Sequence, residues 1–173
     1  MQGQPAVPTL WSFLMQNLPL PVLNPALFED VANWFCQIPH SATIGLEFVM
    51  GERGHATLRV PYNTALVGNP RSGVLHGGVM TSLIDTTSAL SVFSMLNERE
   101  AIATLDLRID YLRGATPGQP VYCTAECYRL GRQIAFTRAT AYQEGNDQPI
   151  AHGVATFMRE SSQAQLGSKK EGA

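Results

Sequence analysis

The run Val74-Leu75-His76-Gly77-Gly78 opens a long apolar segment, Val79 to Leu96, in which Asp85 is the only charged residue. A carboxylate inside a segment apolar enough to be buried is expensive unless it serves a purpose. The glycines at the head of the same segment leave backbone N–H groups open and allow a ligand to approach closely. The first turn of a helix adds unpaired N–H donors and the positive end of its dipole, which suits a developing oxyanion. A base together with an anion-stabilising hollow makes up the two halves of a hydrolytic site. Asp85 either deprotonates water or attacks directly, and residue types alone leave both routes open. His76 is of the right type for a base near neutral pH, and its place also suits it to orient the helix start through a hydrogen bond.

The surrounding elements must position these groups. The 173 residues suit one domain with a single core. Residues 1–41 read as an N-terminal helical extension, with helical pieces at Leu10–Asn17 and Pro25–Gln37 separated by Pro19 and Pro21. Asn24 before Pro25 is an N-cap signal. Residues 42–159 form the main domain. Strands are expected at Ala42–Met50 and Ala56–Tyr62, followed by a loop from Asn63 to Leu75 long enough to suggest function. A helix then runs from Gly77 to about Leu96. Four more strands follow at Ile102–Leu112, Gln119–Arg129, Ile134–Gln143 and Ile150–Arg159, separated by glycine-bearing turns. In the first of these, alternation places Leu105, Leu107, Ile109 and Tyr111 on one face and Thr104, Asp106, Arg108 and Asp110 on the other. Short turns make antiparallel neighbours, and one very apolar helix must be wrapped by the available sheet. The expected class is α+β: a hotdog fold, a curved antiparallel sheet around one long central helix. Residues 160–173 are polar and small and read as a disordered tail.

Composition excludes several functions. Net charge is −2 and no Lys or Arg precedes Arg53, which argues against a nucleic-acid partner. No run is long enough to span a bilayer, and Leu10–Leu23 lacks the charged start of a signal peptide. Cys36, Cys123 and Cys127 form no CxxC pair and suit reduced thiols in a cytoplasmic protein. The four histidines and three cysteines show no metal-ligand spacing, and neither a metal nor a redox cofactor is expected. His40 falls in a linker, and His55 and His152 in strand-like runs.

The order Asn69, then Gly73 to Gly78, then Leu83-Ile84-Asp85 resembles hotdog-fold acyl-CoA thioesterases of the phenylacetate-degradation type. The runs 106–113, 131–137 and 150–157 are similar to that family's strands, and the resemblance covers about residues 42–159. It implies hydrolysis of acyl-CoA to free acid and coenzyme A, with Asp85 as base or nucleophile and the Gly77 N–H polarising the carbonyl. It further implies Thr104 holding the attacking water and Asn69 assisting, although Asn69 sits one residue further upstream than the family pattern. His76 and Gly78 would border the substrate. Arg71, Arg113 and Arg132 are candidates for the phosphates of coenzyme A, since guanidinium suits phosphate.

Helix geometry adds a constraint. Gly77 and Asp85 lie eight residues apart, about 12 Å along a helix. One chain therefore cannot aim both at one carbonyl, whereas a two-fold homodimer, alone or paired into a tetramer, can. The strand around Leu107 is a candidate seam, because pairing with its own copy sets Asp106 against Arg108. The alternatives are a non-catalytic acyl-CoA sensor and an enoyl-CoA hydratase on the same fold.

Overall fold

The structure is a computed structural model that describes residues 20–160. The expected helix at Leu10–Asn17 and the tail from residue 161 lie outside the described residues. Helix α1 spans Pro25–Gln37: the Asn24 side chain accepts the Leu27 N–H, and Pro25 occupies the first helical position. Its buried residues Phe28, Val31, Ala32 and Phe35 follow helical spacing. A second helix, α2 (Pro39–Ile44), stands where a strand from Ala42 is expected, and it takes in His40. The cause is local. Pro39 starts the turn, and Gly45, at φ 72°, ends it with its N–H on the Ser41 and Ala42 carbonyls. Strand β1 therefore begins at Glu47, and the 41/42 boundary falls inside α2.

The hairpin of β1 (Glu47–Glu52) and β2 (His55–Val60) turns at Arg53-Gly54, with Gly54 at φ 80°. The long loop carries a 3-10 turn at Thr64–Leu66 and a small ladder of β3 (Val67–Asn69) with β4 (Val74–Leu75). Helix α3 spans Gly77–Phe93, three residues shorter than expected. The strands β5 (Ala101–Tyr111), β6 (Val121–Leu130), β7 (Ile134–Tyr142) and β8 (Ala151–Glu160) complete the chain.

The six-stranded sheet has the order β1-β2-β6-β7-β8-β5 and its pairs are antiparallel. The expectation that consecutive strands are neighbours fails between β5 and β6. The Leu112 and Arg113 N–H groups both donate to the Ile150 carbonyl, which fastens the end of β5 to the start of β8. The chain then crosses the end of the sheet to reach β6. Strand β5 thus becomes an edge.

The sheet curls around α3. Leu83, Ile84, Leu90 and Val92 are fully enclosed, facing a sheet whose inner positions are often small: Ala125, Ala139, Ala151, Gly153 and Ala155. The buried Thr87, Ser91 and Ser94 hydroxyls donate to carbonyls of their own helix, so the helix tolerates burial on nearly every side. Gly153 sets how closely sheet and helix approach, since a Cβ there would lie 2.6 Å from the Ile84 Cγ2. Gly153→Ala should therefore destabilise the fold by about 1–3 kcal/mol, read as a lower midpoint in chemical denaturation.

Candidate active site

The Asp85 carboxylate lies half-buried on the flank of α3 that faces β5, where its Oδ1 accepts the Thr104 hydroxyl at 3.0 Å. Burial holds its pKa above the ordinary carboxylate value, and the Thr104 hydrogen bond partly offsets that rise. Strict alternation would turn Thr104 away from Tyr111. A bulge at Leu105 corrects that expectation: Thr104 pairs with Phe157 and Asp106 with Thr156, so Leu105 is the extra residue. The strand changes phase there, and both Thr104 and Tyr111 reach α3.

Tyr111 secures the head of the helix. Its hydroxyl donates to the Gly77 carbonyl at 2.9 Å and lies 3.1 Å from the Thr81 hydroxyl. His76 is the N-cap, and its Nδ1 accepts the Gly78 N–H at 2.9 Å. This bond engages one of the two glycine donors. The Gly77 N–H donates to no acceptor among the described residues, as the first position of a helix allows. A Cβ on Gly78 would come within 2.9 Å of the His76 Nδ1, and one on Gly68 within 2.7 Å of the His76 Cα. Both glycines therefore protect the geometry of the cap. From α2, the His40 Nε2 lies 2.8 Å from the Ser82 hydroxyl, which itself donates to the Gly78 carbonyl. Sequence reasoning gave Tyr111, Gly68 and His40 no part in this arrangement. Only a Gly-rich loop before a helix hinted at Gly68, and nothing local pointed to Tyr111.

Asp85 and Thr104 are brought together, and Gly77, Gly78 and His76 form a second group two turns away on the same helix. Asn69 and Arg71 are in neither group. The Asn69 side chain accepts the Arg71 N–H at 3.1 Å, and its carbonyl accepts the Gly73 N–H, which ties their own loop. Arg71 is exposed, as is Arg132 in the β6–β7 turn. Arg113 is held by the carbonyls of Gln148 and Gly114 and by the Gln143 side chain, at 3.0, 3.0 and 3.4 Å. Its guanidinium thus braces the crossing between β5 and β6. Burial pushes the Cys123 thiol up to about 12 and Cys127 to about 11, so neither is a ready nucleophile.

A cavity of about 470 Å³ opens beside Thr104 and runs between α1 on one side and α3 and β5 on the other. Its walls include Trp34, Phe35, Ala89, Phe93, Ile102 and Phe157. It joins an apolar channel to Thr104, the residue that bonds the carboxylate, the arrangement expected of a site for an amphipathic ligand.

The raised pKa of Asp85 has a consequence for stability. Between the ordinary carboxylate range and the raised value, the native state binds more protons than the unfolded chain, so this group makes stability fall as pH rises. Asp85→Asn should raise Tm at neutral pH, and the gain should vanish at a pH below the ordinary carboxylate range. Thermal melts across pH check both.

The comparisons agree with this architecture. The family model described as the thioesterase superfamily matches residues 72–150. A Salmonella typhimurium protein named medium/long-chain acyl-CoA thioesterase YigI is 32% identical over 134 residues, covering 70% of this chain and 85% of that one. A crystal structure of a Pseudomonas aeruginosa protein is 45% identical with a TM-score of 0.70, covering 78% of this chain and 99% of that one. The Escherichia coli PaaI protein of the phenylacetic acid degradation operon has a TM-score of 0.70 at 19% identity, over 80% of this chain and 96% of that one, and it speaks to the fold alone. With its antiparallel sheet wrapped about a central helix and a relative matched over most of that relative's length, the chain is a hotdog-fold enzyme belonging to the thioesterase superfamily.

Proposed function

We propose that this enzyme hydrolyses acyl-CoA thioesters to free acid and coenzyme A. The observation that carries the reading is the Asp85–Thr104 pair at the mouth of an apolar cavity in a chain of this superfamily. The activity named for the Salmonella relative supports the same substrate class.

In this mechanism the acyl group enters the cavity and the thioester carbonyl stops beside Asp85. Thr104 orients the carboxylate and the attacking water. Asp85 takes the water proton as the C–O bond forms; in the other route its own oxygen attacks and breaks the C–S bond, expelling the thiolate and giving an anhydride that water then opens to free acid and Asp85. A Gly77 N–H receives the developing oxyanion, a contact that typically supplies a few kcal/mol. In the general-base route collapse of the tetrahedral intermediate expels the thiolate, and in either route the thiolate is then protonated. His76 serves by holding the helix start through its bond to Gly78. Asn69 assists by shaping the loop ahead of it, and Arg71 and Arg132 are exposed where phosphates of coenzyme A could be met.

The spacing of Gly77 and Asp85 makes the site a shared one. Strand β5 leaves eleven residues, Ala101–Tyr111, at the edge of the sheet, with Leu105, Tyr111 and Leu112 each more than half exposed. Such an edge is a template for pairing, and a second copy is the natural partner. Pairing about Leu107 aligns Asp106 with Arg108 of the mate and sets the two α3 helices antiparallel. Each Asp85 then approaches the partner subunit's Gly77.

The reaction is tested by thiol release from acyl-CoA esters, where Asp85→Asn should lose about 10²- to 10⁴-fold in kcat. Heat protection by acyl-CoA with no thiol release from the wild type would instead indicate a binder. Thr104→Ala removes the bond that favours the carboxylate, so the acid limb of the pH profile should move to higher pH. Sharing is tested by mixing Asp85→Ala and Gly77→Pro chains. Proline suits the first helical position, and His76, at φ −63° and ψ 139°, already has the conformation required before proline, so this change removes the N–H while keeping the helix start. Heterodimers should regain activity at half of their sites, and a verified heterodimer without activity would exclude shared sites.

A further inference from the structure

We propose that α1 and the charged end of the cavity act as a ruler for the acyl chain and set medium length as the optimum; this rests on the thioester reading above. Three bonds lash α1 to the segment that follows α3. The Leu23 N–H donates to the Ser94 carbonyl at 2.9 Å, the Asn24 side chain to the Asn97 carbonyl at 2.8 Å, and Arg99 Nη2 pairs with Asp30 Oδ2 at 2.7 Å. Phe35 meets Phe93 edge-on, with ring centroids 5.7 Å apart. The wall that α1 supplies is therefore fixed at both its start and its buried face, and Trp34, half exposed, forms its rim.

The channel has a defined depth. It begins beside Thr104, whose hydroxyl bonds Asp85, passes Ala89 one helical turn beyond Asp85, and reaches Phe93 after another. Eight helical residues span about 12 Å. Carbon–carbon bonds of about 1.5 Å advance an extended chain by about 1.3 Å each, so that depth holds about nine or ten carbons. At the far end the lining changes character. Glu100 lines the cavity and accepts both Nε and Nη2 of Arg159, at 2.9 and 2.6 Å, with side chains only 9% and 13% exposed. Arg159 Nη1 also donates to the Gly131 carbonyl at 2.7 Å. A buried ion pair cannot be pushed aside without stranding a charge, and its surface gives a methyl group no apolar contact to gain. Each methylene buried before this stop should strengthen binding about fourfold, and those beyond it should add nothing.

The test is thiol release by the full chain over a series of saturated acyl-CoA esters, reading kcat/KM. The wild type should rise from butyryl- to about decanoyl-CoA and then level or fall at palmitoyl-CoA. Replacing the ion pair as a unit, Glu100→Leu with Arg159→Leu, makes the end apolar without leaving a lone charge. It should raise the palmitoyl-to-decanoyl ratio at least tenfold. Ala89→Met narrows the channel midway and should move the ratio of decanoyl to butyryl ester at least tenfold downward. Ala89→Met keeps the ruler testable even where the double variant fails to fold, as judged by circular dichroism. A wild-type series that rises without a break to palmitoyl-CoA, or ratios unchanged in folded variants, would overturn the ruler and leave the reaction standing. Release of thiol from none of the esters would overturn both.

Discussion

A single carboxylate held in a nearly buried helix by one hydroxyl governs how this protein is built. Asp85 sits on a helix whose other faces are filled by Leu83, Ile84, Leu90 and Val92. Its charge is tolerated because β5 stands beside that flank and offers Thr104. The sheet is shaped to allow this. Small residues on its inner face let the helix come close to β7 and β8, and the bulge at Leu105 rotates β5 so that residues on either side of it serve the same helix. The raised pKa follows from the same geometry, since a half-buried carboxylate with one hydrogen bond resists ionisation.

The helix start is built on a different principle. At Asp85 the fold withholds part of the solvent. At Gly77 it withholds side chains and supplies backbone. His76 closes one donor, Tyr111 and Thr81 fasten the first carbonyl, and one N–H stays open. Tyr111 and Thr104 belong to one strand, so a shift of β5 would disturb the start and the middle of the working helix together. That strand also lies at the rim of the sheet, where the site meets whatever adjoins it.

Much of this could be read from residue order. Asn24-Pro25 marks a helix start by chemistry that acts within three residues, and α1 begins there. The isolated Asp85 and the paired glycines identify the working helix because their types are costly or rare in that setting. The features that escaped were of two kinds. Some were local signals outweighed by a stronger one: Pro39 and Gly45 bracket α2, but the β-prone run through Met50 masked a six-residue helix. Others are absent from local sequence. A bulge leaves no mark in a strand that alternates well on paper, so Leu105 seemed to continue the pattern that it breaks. The Tyr111 contact, the brace made by Arg113 and the cavity wall formed by α1 all join segments far apart in the chain. They exist only once the sheet order is set, and that order departs from the one that short turns suggest.

The route of the chain from Arg113 across the end of the sheet bears on how the molecule comes into being. The pairs β1–β2, β6–β7 and β7–β8 each close a short loop, whereas β5 joins β8 with Tyr111 meeting Ala151 and Ala101 meeting Glu160. Loop-closure entropy makes that union slower than the hairpins, as it does the still longer closure of β2 on β6, where Val60 meets Val121. Docking of the strand bearing Thr104 thus waits on the hairpin that supplies β8, its one neighbour in the sheet, and the carboxylate keeps its water until that union is made.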